Sequence, residues 1–161
     1  MVEKRVGKLM QRQSLTLATA ESSTGGLLAH RITNVPGSSS YYLGGLVAYA
    51  NEAKEALLGV RRETLVAFGA VSEPVAREMA RGARRSIGAD VGISVTGIAG
   101  PGGGTPEKPV GLAYVGLSAP GADCCECHVW QGDRLANKEW TAEAALRFLL
   151  DYLEERQDGL S

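Results

Sequence analysis

The 161-residue chain has no apolar run near the roughly 18 residues that cross a bilayer. Its opening stretch, residues 1–13, is charged and lacks the apolar core of a secretion signal, so a cytoplasmic protein without a membrane partner is expected. An excess of charge of one sign is also missing. Lys and Arg number 17 against 18 Asp and Glu, for a net charge of −1; without an overall positive field, nucleic acid is not an expected partner. Cysteine is confined to Cys124, Cys125 and Cys127, too crowded for a disulfide framework and without the spacers of a structural zinc motif. Small half-buried strand residues are the plainer reading, and no metal is expected. Histidine is limited to His30 and His128, which leaves few candidates for the commonest protein base.

Glycine is what the chain has in plenty: 21 residues, about twice the usual share of roughly 7%. Much of it is clustered, which points to loops where backbone approaches something closely. With 44% hydrophobic and 22% charged residues, the composition is that of an ordinary globular domain, and one domain over residues 1–161 is expected. Residues 15–20 alternate as a short strand, and the turn after them leads into a helix from Gly26 that Pro36-Gly37 stops. A second strand over 43–50 runs to Asn51, a plausible helix cap, with Gly59 ending that helix. A small helical segment at 62–68 follows, then a helix capped by Ser72 with Val75, Ala76, Met79, Ala80, Ala83 and Ile87 on one face.

A third strand at 91–96 is expected at the centre of the sheet and runs into the glycine-rich loop 97–104. Strands at 110–117 and 124–130 read as a hairpin, and Asp133 opens a last helix with Ala142, Ala145, Leu146, Leu149, Leu150 and Leu153 in one stripe. Strands alternating with helices imply parallel crossovers. The expected fold is therefore α/β: three layers, α/β/α, around a mixed, mostly parallel sheet with an antiparallel edge.

Ligands of such sheets bind beyond the carboxyl ends of the parallel strands. The segments expected there are Glu21-Ser22-Ser23-Thr24-Gly25-Gly26, Tyr49-Ala50-Asn51-Glu52-Ala53-Lys54 and Thr96-Gly97-Ile98-Ala99-Gly100-Pro101. His30 lies within a helix and His128 within the antiparallel part, so a Ser-His-Asp triad does not fit and a lysine base remains open. A lysine acting near neutrality needs its pKa pulled down by about three units, about 4 kcal/mol, and a helix N-terminus supplies only about 0.3–1 kcal/mol. Burial has to supply the rest. A solvated helix lysine beside Glu52 and Glu55, and a turn serine at Ser22, are the ordinary alternatives. Glu21 touching Lys54 would oppose a base role, so a substrate-binding or loop-orienting Glu21 is the better reading. The glycines before the first helix and those after Thr96 are both candidates for surrounding a phosphate or an oxyanion.

Taken together, Thr19-Ala20-Glu21-Ser22-Ser23-Thr24-Gly25-Gly26, Pro36-Gly37-Ser38-Ser39, Gly44-Gly45, Tyr49-x-Asn51-x-x-Lys54, Gly69-Ala70-Val71-Ser72, Thr96-Gly97-Ile98-Ala99-Gly100-Pro101 and Lys108-Pro109-Val110-Gly111 resemble the CinA C-terminal domain family. That family includes nicotinamide-nucleotide amidases, which convert nicotinamide mononucleotide to nicotinate mononucleotide and ammonia. The resemblance implies a Ser-Lys amidase in which Ser22 is the nucleophile and Lys54 the general base, with Tyr49 and Thr96 in support. It also implies Glu21, Thr24, Gly25, Gly26, Asn51, Gly97, Gly100 and Arg134 around a small pyridine nucleotide substrate, with no cofactor and a homo-oligomeric assembly. In larger members the domain follows a molybdopterin-binding-like region that this sequence does not contain, so the stand-alone amidase form is the expected match. Two departures stand out: Ser23 replaces the Cys of many relatives, and Lys138 stands where the family commonly has Arg. A nucleotide-derivative binding module without productive catalysis is the competing reading. A competence-linked interaction domain is a third.

Overall fold

The structure, a computed structural model, describes residues 1–160. Five strands form one sheet in the order β2-β1-β3-β4-β5: β1 Leu17–Glu21, β2 Tyr42–Val47, β3 Val91–Gly97, β4 Leu112–Ala119 and β5 Ala122–Val129. β2, β1 and β3 run parallel, and β4 and β5 are antiparallel additions beyond β3. The mixed sheet and central third strand agree with expectation. The helices are α1 Val2–Arg12, α2 Leu27–Thr33, α3 Asn51–Leu58, α4 Arg62–Phe68, α5 Glu73–Ile87 and α6 Arg134–Leu160.

Strand alternation sorts the side chains into two cores. Leu17, Ile93, Val95, Val115 and Leu117 pack with Leu146, Leu149 and Leu153 of α6, together with α1 and α2. Ala18 and Ala20 turn the other way and meet Leu58, Leu65, Val75 and Met79 of α3, α4 and α5. On this second face the sheet is lined by small residues, so α5 lies very close: a Cβ at Gly116 would fall 2.4 Å from the Ala76 carbonyl. Ser94 instead donates its hydroxyl to that carbonyl at 2.6 Å. At Gly82, α5 in turn touches the end of α3, where a Cβ would fall 1.9 Å from the Leu58 carbonyl.

Several boundaries differ from the sequence reading. The charged opening stretch is the helix α1, in which Val2, Val6, Leu9 and Met10 form a buried stripe. β2 stops at Val47, short of the expected residue 50, its last pair with Glu21 closed by the Ala48 amide on the Glu21 carbonyl. β4 starts at Leu112 rather than 110, after a turn closed by the Leu112 amide on the Pro109 carbonyl. Asn51 is not a cap: Ala50 holds that position without a side-chain bond, and Asn51 is the first helical residue. Two caps appear where expected. Ser72 accepts the Val75 amide, and the Asp133 carboxylate accepts the Ala136 amide to start α6.

Candidate active site

β1 and β3 end side by side, and the turn after β1 brings Ser22 out beyond the sheet edge. By alternation Ser22 falls on the same face as Ala18 and Ala20, toward α3. Lys54 sits in the first turns of α3, 1% exposed, and its Nζ lies 3.0 Å from Ser22 Oγ. The same nitrogen donates to the Tyr49 carbonyl at 2.8 Å. Lys54 is thus the buried alternative, not the solvated one. No carboxylate forms an ion pair with it among the described residues, and burial pushes its pKa below the ordinary lysine value. As an ammonium, Nζ donates to Ser22 Oγ. As a neutral amine, its lone pair can receive the serine proton along the same line.

Glu21, the last residue of β1, faces away from Lys54 toward α2. Its Oε1 accepts the Thr24 hydroxyl at 2.6 Å and the amides of Gly26 and Leu28 at 3.2 and 2.8 Å, and its Oε2 accepts the Ala29 amide at 3.1 Å. This buried carboxylate caps α2 and fixes the nucleophile turn. Glu21 and Thr24 thus bond each other and the start of the helix, the loop-orienting role that was one of the two expected of Glu21. Gly25 and Gly26 shape the same turn. Their amides donate to the Ser22 carbonyl and to Glu21, and their φ angles of 58° and 107° explain why the turn needs glycine. In the turn, the Ser22 amide bonds the Val95 carbonyl, and the Ser23 and Thr24 amides that follow have no acceptor among the described residues. These two are the available donors for an oxyanion.

Thr96 is 1% exposed, and its hydroxyl donates to the Ala70 carbonyl at 2.9 Å, tying β3 to the α4–α5 loop rather than reaching the serine or the lysine. Tyr49 meets the lysine through its main chain. Its phenol is exposed and accepts from Arg134 at 3.2 Å. Arg134 also donates to the Gly100 carbonyl at 2.6 Å, so one guanidinium bridges the second and third of the expected loops. Gly97 lies against Ser23, where a Cβ would come 3.2 Å from the Ser23 hydroxyl. Asn51 is exposed on α3, and its side chain makes no hydrogen bond among the described residues. Beside Arg134, the residues Ala99, Pro101, Val110, Gly132 and Leu135 border an open recess of about 510 Å³.

Two residues of α6 complete the rim: Asn137, which the sequence reading did not single out, and Lys138, noted there only as a departure from the family. Asn137, 2% exposed, donates to the Ala99 carbonyl and accepts the Gly132 amide, each at 3.0 Å, clamping the glycine loop to the helix start. Lys138 borders the space beside Ser23, Gly97 and Ala113, and its Nζ is the nearest group to Gly25. The signal was present as spacing: Arg134, Asn137, Lys138 and Thr141 recur at i, i+3, i+4 and i+7, a polar stripe opening an otherwise apolar helix. His30 and His128 are remote from the dyad: one lies on α2 beside Asn34, the other stacks on Trp130 in the antiparallel part.

The family model described as the CinA C-terminal domain matches residues 1–153. A CinA-like protein of Chlorobaculum tepidum is 55% identical over 97% of this chain and 38% of its own length. A putative competence-damage inducible protein of Moorella thermoacetica is 52% identical over 92% of this chain and 36% of its own. The chain thus spans little more than a third of the curated relatives it matches. Among solved structures, a competence-damaged protein (CinA) superfamily protein from Klebsiella pneumoniae superposes with a TM-score of 0.92 at 32% identity, over 96% of both chains. The competence/damage inducible protein CihA from Agrobacterium tumefaciens does so with a TM-score of 0.88 at 40% identity, over 95% of this chain and 93% of that one.

Proposed function

This chain belongs to the CinA C-terminal domain family, and from that membership and its buried serine–lysine pair we propose that it is an amidohydrolase acting on nicotinamide mononucleotide. The observation that carries the reading is the 3.0 Å approach of Lys54 Nζ to Ser22 Oγ in a place where burial disfavours the ammonium. Neutral Lys54 takes the Ser22 proton as Oγ adds to the carboxamide carbon. The oxyanion that forms is received by the Ser23 and Thr24 amides. The Lys54 ammonium then passes its proton to the departing nitrogen, ammonia leaves, and a nicotinoyl ester remains on Ser22. Water attacks the ester, Lys54 again takes the proton, and its return to Ser22 Oγ releases the acid.

The substrate phosphate is assigned to the loop 97–104 and Arg134. The alternative, the N-terminus of α2, is already filled by the Glu21 carboxylate, and a second anion there would be repelled. Arg134 keeps guanidinium N–H groups beyond those given to Gly100 and Tyr49.

The test is ammonia release from nicotinamide mononucleotide by the purified protein. Release is expected from the wild type and not from Ser22→Ala or Lys54→Ala, with circular dichroism unchanged. Full activity in both variants would remove the dyad from the mechanism. Tight calorimetric binding by the wild type with no ammonia would favour the binding-module reading instead.

A further inference from the structure

A second cleft lies at the opposite end of the sheet from Ser22, where α5 ends and the β4–β5 hairpin turns. Its volume is about 730 Å³, and Arg81, Arg84, Arg85, Ser118, Gly121 and Asp123 are among the residues around it. The size falls in the range of small-molecule sites, about 300–1,000 Å³. Helix α5 separates the two ends: its 15 residues span about 22 Å at 1.5 Å per residue.

The cleft carries three guanidinium groups and one carboxylate, and their bonding makes them unequal. Asp123 is held by Arg77 at 3.1 Å and by Arg81 at 2.8 Å, so Arg81 forms a fixed, neutralised wall. Arg85 donates to the Leu58 carbonyl at 3.3 Å and keeps its charge. Arg84 has no side-chain partner among the described residues. The plain account of arginines in a last helical turn is that they complement the exposed carbonyls. Here the Gly88 and Ala89 amides both bond the Arg84 carbonyl, and the Arg84 side chain itself bonds none of the remaining carbonyls among the described residues.

The floor of the cleft supplies an independent observation. Ser118 is 5% exposed and lies on β4 in register with Gly116, on the face that α5 covers. Its hydroxyl has no hydrogen-bond partner among the described residues, and it opens on the cleft. An unpartnered, nearly buried hydroxyl under the uncommitted Arg84 guanidinium, with Arg85 keeping N–H groups beyond its bond to Leu58, is a donor set for a tetrahedral oxyanion.

We propose that this cleft binds a small phosphorylated ligand of nucleotide size, with Arg84 and Arg85 on the phosphate and Ser118 donating from below. The site is separate from the Ser22–Lys54 pocket and does not depend on the amidase reading. Isothermal titration of the full chain with adenosine monophosphate, orthophosphate, adenosine and a single-stranded DNA 12-mer tests it. Adenosine monophosphate is expected still to bind Arg134→Ala, which lacks the phosphate contact of the Ser22 pocket and serves as the background for the substitutions below, and adenosine not at all. Arg84→Gln is expected to weaken binding by about tenfold or more and Ser118→Ala by about threefold to tenfold, with circular dichroism and melting temperature checked for both. Three results would each overturn the proposal: no binding at about 10 mM, affinity untouched by both substitutions, or binding lost in Arg134→Ala. Binding of the 12-mer without the nucleotide would overturn it in favour of a nucleic-acid groove.

Discussion

Replacing Lys54 by methionine is expected to abolish the chemistry and stabilise the fold at once. Methionine fills the same slot with an unbranched chain, so the packing around a 1% exposed side chain is largely kept. What changes is the charge. The pKa of Lys54 is lowered by burial, so even with its bonds to Ser22 Oγ and the Tyr49 carbonyl the ammonium is worse off than in water. Exchanging a buried charge for an apolar group of similar volume is typically worth about 1–4 kcal/mol. At about 2–4 °C per kcal/mol for a domain of this size, the melting temperature should rise by about 2–16 °C, while kcat falls by about 10⁴-fold or more.

The pH dependence follows from the direction of the shift. Well below the folded-state pKa both states are protonated and the wild type bears the full penalty. Between the folded pKa and the unfolded value of about 10.4 the unfolded chain holds the extra proton, so wild-type stability climbs with pH. Differential scanning fluorimetry should therefore show the gap between Lys54→Met and wild type shrinking as pH is raised from 7 toward 10. A variant that melts below wild type at pH 7, or a gap that stays flat with pH, would refute the claim that the site bears the cost of a desolvated amine.

Glu21→Ala removes an acceptor of four hydrogen bonds from a buried turn and should cost about 2–4 kcal/mol in urea denaturation, with Glu21→Gln losing less. Asn137→Ala frees the glycine loop from α6 and is expected to raise KM about tenfold or more while kcat changes less, as steady-state ammonia release will report. Burial pushes the Cys125 thiol up to about 12, whereas Cys127 is exposed. Brief iodoacetamide treatment at pH 8, followed by peptide mass spectrometry, should therefore find Cys127 alkylated well before Cys125.

The elements that carry their own local signals were legible in the sequence. Ser72 before an apolar stripe announced α5, Asp133 announced α6, and the apolar strand 91–96 between glycine-rich turns announced the centre of the sheet. α1 escaped because its charges hide a four-residue stripe that only has meaning against α6. The motif residues did converge on one edge, yet what several of them do there depends on partners far away in sequence. Nothing near Thr96 announces a bond to Ala70, and nothing near Arg134 or Asn137 announces bonds to Gly100 and Ala99. Glu21 is the instructive case. Its partners lie only three to eight residues ahead, but a positive-φ glycine pair has to fold the turn back before one carboxylate can reach them all.

Because the amine of Lys54 rests on the backbone carbonyl of residue 49, every residue type at that position carries the same oxygen. The phenol projecting outward is free to vary without unseating the base. Selection can thus reshape the doorway to the pocket, which on the proposed reading alters which amides are admitted, while the contact of Lys54 with Ser22 behind it stays as it is. A library at position 49 alone is accordingly the natural starting point for changing what this protein accepts.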